Sequence, residues 1–446
     1  MNPKSRLLLL SLLAFALIVC SFLFFIFSPA SKGYVTVSSP FKAAYLISDP
    51  TKTEIQIHIV LPLSAAAQSS AEGLPHYVEH LAWLNSVGAK MRLADRHSNA
   101  WTNKDTIGYW LAGQKDGLSE MLRSLIGIFK PISLSVKFAD EEKKIVQREY
   151  DLRLGNNLDG RVFDAQDQFL YKGNYLAKSS IGTVESIAAL NFEQAMALHA
   201  ETHVMPSAVL VVIGDIDQSE LEAELKKLPE TESQPKAQRK LSLFNLAENA
   251  DETKQFPDKN AAPRLILRRI VKLEKPEQFD VLRAKLSLLE DMLDTNLPGG
   301  LAKPIRFDQR IASSFAVSVW PIDEAHAEIS FIASPDAGVS LTSLKAAFEE
   351  SFATTSKAGF PEETFQRVRA RFTAYWPEWD DEDEVRDWMA GHILDTVPSG
   401  RMPLSIDELK SIDRDLTLES INEILNQFTS GGRTSAAFIG PQGSFK

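Results

Sequence analysis

Gly73-Leu74-Pro75-His76-Tyr77-Val78-Glu79-His80-Leu81 is the stretch on which the reading of this 446-residue chain turns. Proline is well tolerated in a first helical turn, and Leu81, Ala82, Trp83 and Leu84 continue with the spacing of a helix that buries one face. At about 3.6 residues per turn, positions 76, 79 and 80 share one side of such a helix. Two imidazoles can then grip one cation while the Glu79 carboxylate reaches a water beside it. A histidine pair without further ligands reads equally well as hydrogen-bonded core or surface histidines, so a third ligand is required.

Glu142-Lys143-Lys144-Ile145-Val146-Gln147-Arg148-Glu149 offers one, within a run from Phe138 to Leu154 that contains no Gly or Pro and is rich in helix formers. Two helical turns separate Glu142 from Glu149 and bring both carboxylates to nearly one face. A zinc ion held by His76 and His80 then takes Glu149 as third ligand, with Glu142 as a supporting carboxylate behind it. Taken alone, the segment is a solvated face paired with Lys143, Arg148 and Arg153. Beside the upstream box, the metal reading is the stronger one, and an H-x-x-E-H order points to a metallopeptidase with Glu79 as general base.

Three blocks in this order, Gly73 to Leu81, then Asn99-Ala100-Trp101-Thr102, then Glu142 to Glu149, resemble the inverted-zincin peptidases related to pitrilysin, insulin-degrading enzyme and the mitochondrial processing peptidase, the M16 family. The resemblance continues through Gly182-Thr183, the Asn191 to His199 helix and the strand and turn Ala208 to Asp215, and covers nearly the whole chain after residue 30. It implies one zinc per chain on His76, His80 and Glu149, Glu79 as general base, Glu142 in support, and Asn99 and Thr102 on a strand beside the cleft. It implies an α+β fold of two similar α/β-sandwich halves of the insulinase and processing-peptidase type, one of them without metal. The activity implied is zinc-dependent endopeptidase cleavage of peptides or small unfolded proteins.

No competing chemistry stands out. The single cysteine, Cys20, lies in an apolar run, which excludes internal disulfides, and there is no Gly-x-Ser-x-Gly elbow or phosphate loop. His58, His97, His199, His203, His326 and His392 are scattered and read as structural or exposed, with His97 near enough to Asn99 to approach the cleft. The net charge of -11, with basic residues interspersed, argues against nucleic acid as a partner. The acidic run Glu378 to Glu384 reads as a solvated loop or helix start.

Residues 1–30 read as an N-terminal membrane anchor or uncleaved signal: Leu7 to Phe27 carries no formal charge and follows Lys4 and Arg6. The expectation is a single-pass membrane protein with its N-terminus cytoplasmic and its domains outside, periplasmic in a Gram-negative source. Residues 31–228 are expected to form the zinc-binding peptidase domain, 229–262 a polar linker, and 263–446 a second, non-metal-binding homologous domain. Strands are expected at Glu54 to Leu61, Ile107 to Leu111, Val209 to Ile213, Leu265 to Val271, Phe315 to Val319 and Ala327 to Ile332. Helices are expected at Gln278 to Asp294, Ser340 to Ala358 and Pro361 to Trp376.

The second half departs from the family pattern L-R-x-x-x-G-L-A-Y. Ile305-Arg306-Phe307-Asp308-Gln309-Arg310-Ile311-Ala312-Ser313-Ser314-Phe315 keeps arginines, so Arg306 or Arg310 is a candidate for binding substrate carbonyls, but the tyrosine hydroxyl is missing and Phe315 cannot replace it as a donor. The alternative function is therefore a non-catalytic assembly or binding subunit that partners an active homologue. Two such halves imply a homodimer, or a heterodimer with a paralogous subunit.

Overall fold

The run Val209-Leu-Val-Val-Ile-Gly214 is apolar throughout, as a strand covered on both faces should be, and it lies inside a six-stranded sheet. A computed structural model describes residues 33–91, 97–228, 246, 248–372, 376–377, 379–397, 401–429 and 431–446. The first sheet has the order β1-β2-β6-β3-β5-β4, with β1 Val35–Thr36, β2 Ala43–Ser48, β3 Ile55–Pro62, β4 Ser98–Thr102, β5 Thr106–Gly113 and β6 Val209–Gly214. The second has the order β7-β11-β8-β10-β9, with β7 Ala250–Pro257, β8 Arg264–Lys272, β9 Ala312–Asp323, β10 His326–Pro335 and β11 Arg433–Gly440.

Apart from β1, which has no counterpart, the sheets match strand for strand. In each, a parallel pair (β2 with β6, β7 with β11) is followed by three antiparallel neighbours, ending in an edge strand (β4, β9). Helix α1 (Leu74–Met91), which carries the histidine box, lies between β3 and β4 in sequence; its counterpart between β8 and β9 is Phe279–Asp294. That counterpart contains no histidine.

The first sheet packs α1 and the helices Leu118–Ile126 and Phe192–Thr202 on one face, around Ile57, Ile59, Leu81, Leu122, Leu198 and Leu210. Its other face, through Tyr45, Ile47, Val60, Val209, Val211 and Ile213, shares one apolar core with the second half. Burial on both faces explains why the β6 run lacks alternation.

Three expectations are corrected. Among the described residues no helix is long and apolar enough to cross a membrane. This overturns the single-pass reading and its inside and outside assignment; the Leu7 to Phe27 stretch on which it rested lies outside the described residues. The stretch 229–262, expected as a linker, contains β7, whose residues ADETKQFP include none that is fully buried; one face is exposed and the half-buried face carries Glu252 between Ala250 and Phe256, so no apolar alternation shows. The helix expected to run to Leu154 is α2, Val136–Tyr150, and loosens into a π-helical turn at Asp151–Gly155.

Candidate metal centre

Gly73 adopts φ +80, and a Cβ there would meet the Ile181 carbonyl oxygen at 2.6 Å, so glycine is required where the chain turns into α1. From that start, His76, Glu79 and His80 emerge on one side of the helix and are all buried. Tyr77 donates its hydroxyl to the Ala139 carbonyl at 2.8 Å, tying α1 to α2. Helix α2 is capped by Ser135, whose hydroxyl accepts from the Phe138 amide. This docking brings Glu142 and Glu149 to the histidines.

His76 Nε2 and His80 Nε2 stand 3.2 Å apart. Glu149 faces both, with Oε2 at 3.4 Å from His76 Nε2 and Oε1 at 3.7 Å from His80 Nε2. In a tetrahedral site with metal–ligand distances of about 2.0–2.1 Å, donor atoms lie about 3.3 Å from one another. One ligand atom from each of His76, His80 and Glu149 lies within 4.8 Å of the other two, a triangle close enough for the three to close on one ion. Glu149 Oε2 is buried without a hydrogen-bond partner, with the Arg153 guanidinium 3.4 Å away as an ion pair.

Glu142, 1% exposed, takes His80 from behind: Nδ1 and Oε1 are 2.7 Å apart. With its proton on Nδ1, His80 turns a lone pair on Nε2 toward the triangle, the arrangement by which a second carboxylate fixes the tautomer of a metal-binding histidine. Burial alone would lower the His80 pKa, but hydrogen bonds to Glu142 and Glu149 and the charge of Glu79 push it up to about 9. Burial would raise the Glu149 carboxyl, yet the imidazoles of His76 and His80 hold it well below the usual carboxylate range. A cation entering this site displaces protons from it.

Glu79 stands beside the triangle rather than in it, with Oε2 at 3.9 Å from His76 Nε2. The same oxygen accepts the Thr102 hydroxyl at 2.9 Å. Thr102 ends β4, the edge strand, which pairs only with β5 among the described strands. Trp101 covers Gly108 of β5 so closely that a Cβ there would lie 2.0 Å from its ring.

The remaining candidates lie elsewhere. Asn99 is exposed on β4 and its side-chain oxygen accepts from the next backbone amide, at 3.0 Å. Arg306 lies in the π-helical turn Lys303–Asp308 and lines a cavity with Asp291, Asp294, Phe307 and Arg371, none of which belongs to the triangle. Arg310 stands where the family pattern has glycine and adopts φ 50. Phe315 is core, against Phe331 and Phe348. His97 pairs with Glu54 at 3.4 Å on the surface.

No protein-family model matches the chain. Curated relatives include the probable mitochondrial-processing peptidase subunit beta of Schizosaccharomyces pombe, 22% identical over 165 residues, which are 35% of this chain and 36% of that protein. The mitochondrial-processing peptidase subunit beta of Caenorhabditis elegans is 25% identical over 126 residues, 27% of each chain. The match thus spans about a third of these relatives or less. Among solved structures, the first half of the periplasmic protease PqqL from Escherichia coli superposes with a TM-score of 0.77 at 16% identity, covering 93% of each chain. A protease from Helicobacter pylori gives 0.74 at 16% identity over 92% of this chain and 99% of that one. A peptidase M16 inactive domain from Pseudomonas fluorescens gives 0.73 at 15% identity over 93% and 99%. These likenesses define the fold, and the sequence relatives make about a third of the chain similar to M16 processing peptidases.

Proposed function

We propose that this chain is a zinc-dependent endopeptidase acting on peptides or unfolded segments. The observation that carries the reading is the donor triangle of His76, His80 and Glu149 with a separate carboxylate, Glu79, beside it and held by Thr102. Bound by those three residues, a zinc ion supplies Lewis acidity to a peptide carbonyl and to a water. Glu79 accepts the proton released in the cleft and returns it to the leaving amine, as a general base and then a general acid. The Thr102 hydroxyl keeps one Glu79 oxygen in place and leaves the other for the proton. Glu142 holds His80 so that Nε2 stays a lone-pair donor. The free edge of β4 offers backbone groups to an extended peptide, which would lie alongside Glu79 as an added strand.

The named relatives are beta subunits, and we read this chain as working beside a second M16 chain or a copy of itself. The alternative, a non-catalytic subunit, gains weight from the inactive M16 domain that shares the fold. Glu79→Gln separates the two. In the peptidase reading the purified chain carries about one zinc per molecule, and the variant keeps that zinc while peptide cleavage is abolished. Metal uptake with no turnover in the wild type, alone or with a homologous partner, sinks the peptidase reading.

A further inference from the structure

Two residues beyond Thr102, in the turn between β4 and β5, Lys104 is bound by Asp167 of the helix Leu158–Leu170. Asp167 Oδ1 in turn accepts from Arg268 of β8, in the second half, at 2.8 Å. Arg268 also forks onto Glu328 of β10, with Nε at 2.6 Å from Oε1 and a terminal nitrogen at 3.2 Å from Oε2. Tyr171 donates its hydroxyl to the same carboxylate. At the far end of the turn, Asp105 accepts the Tyr175 hydroxyl at 2.5 Å.

Glu328 is 0% and Arg268 5% exposed. Charges this deep are stable only when paired and hydrogen-bonded. Lys104, Asp167, Arg268 and Glu328 alternate in sign, so the set is neutral and each member is held by the next. Strand β4, by contrast, has five residues and one partner strand among the described residues, and such an edge frays unless its ends are fixed. A threonine hydroxyl at its last residue stays on its acceptor only as long as the backbone beneath it does not move.

We propose that Arg268, from the half that supplies no metal ligand, is a positioning residue for Glu79: through Asp167 and Lys104 it pins the β4–β5 turn and keeps the Thr102 hydroxyl on that carboxylate. The role of Glu79 as base rests on the function proposed above; the pinning of the turn does not. The second half is thereby a working part of the site rather than a cover for it.

Arg268→Lys isolates the effect. Lysine keeps the buried positive charge beside Glu328, but as a single point donor it cannot span both carboxylates. Amide hydrogen exchange at residues 101–106 then rises roughly tenfold or more, while the β3 amides and the metal content stay as in the wild type. In turnover, kcat falls about 10- to 100-fold with KM within about twofold, as expected of a displaced catalytic group. Thr102→Val gives a similar loss. The double variant is no worse than Thr102→Val alone, because both changes act through one hydrogen bond. A purely structural Arg268 would instead raise exchange across the whole sheet and multiply the two losses. If Arg268→Lys does not fold, Lys104→Met, at a partly exposed position, carries the same comparison. Unchanged exchange at the turn, or losses that multiply, overturns the proposal. A wild type that cleaves nothing defeats the peptidase reading while the exchange comparison still decides the pinning.

Discussion

At the residue scale, the spacing of the ligands was legible because it is set by helix geometry alone. His76 and His80 sit one turn apart, and Glu142 and Glu149 two turns apart, so one docked helix pair brings all four into contact whatever the rest of the chain does. Arg306 was not legible in the same way. Its place depends on a π-helical turn and on Arg310 at φ 50, neither of which leaves a periodic trace in sequence. The Arg268 network was missed for a related reason: in sequence its members are ordinary charged residues, and only strand pairing brings them together. Glu142 offers a direct test of the centre. Removing it leaves His80 Nδ1 buried without its acceptor, and loss of such an outer carboxylate costs about 10- to 100-fold in metal affinity. Glu142→Ala should show that loss in a competition titration against a chelator, with Glu142→Gln in between because its side-chain oxygen still accepts from Nδ1. Equal affinity in all three proteins would mean that Glu142 supports the fold and not the metal.

At the element scale, β5, β6, β8, β9 and β10 contain the apolar runs read for them and β3 contains all of its run but Glu54, whereas β2 and β11, also buried, were not read. Strand β7 was illegible because it lies at an edge with no fully buried residue, and its identity comes from pairing with β11, more than 180 positions away in register. The β4–β5 pair shows how an element can be specified by one small residue. Gly108 stands opposite Trp101, and the indole lies flat where a side chain would be. Gly108→Ala must push Trp101 off β5 and tilt the strand that ends in Thr102. Overpacking of this kind costs about 1–3 kcal/mol, and the expected result is a lower unfolding midpoint together with reduced kcat. A variant with normal kcat would show that β4 can move without disturbing Glu79.

At the scale of the whole molecule, the halves repeat one strand order, yet their interiors are continuous, and the same folding that builds the site also buries histidines that do not belong to it. His58 on β3 is 8% exposed, stacked on Trp110, and burial lowers its pKa to about 4. His203 is deeper still: Tyr109 donates to Nε2, Nδ1 donates to Thr202, and burial keeps the ring neutral with a pKa well below its ordinary value. His199 and His392 are lowered for the same reason. Each of these groups binds its proton more readily when the chain is unfolded. Their contribution to stability is complete above the unfolded value of about 6.5 and is lost as pH falls from there toward the folded value. For His58, the shift from about 6.5 to about 4 amounts to about 2 kcal/mol lost between pH 7.5 and pH 5. The total change between the two pH values also includes His80, whose raised pKa acts in the opposite direction, so the test is the difference between variant and wild type. In denaturant unfolding His58→Leu should shift the change from pH 7.5 to pH 5 by about 2 kcal/mol relative to wild type, whatever the variant does to stability at pH 7.5. If the variant and the wild type change by the same amount, His58 binds its proton as readily in the folded protein as in the unfolded chain, and the burial inferred at that position is wrong.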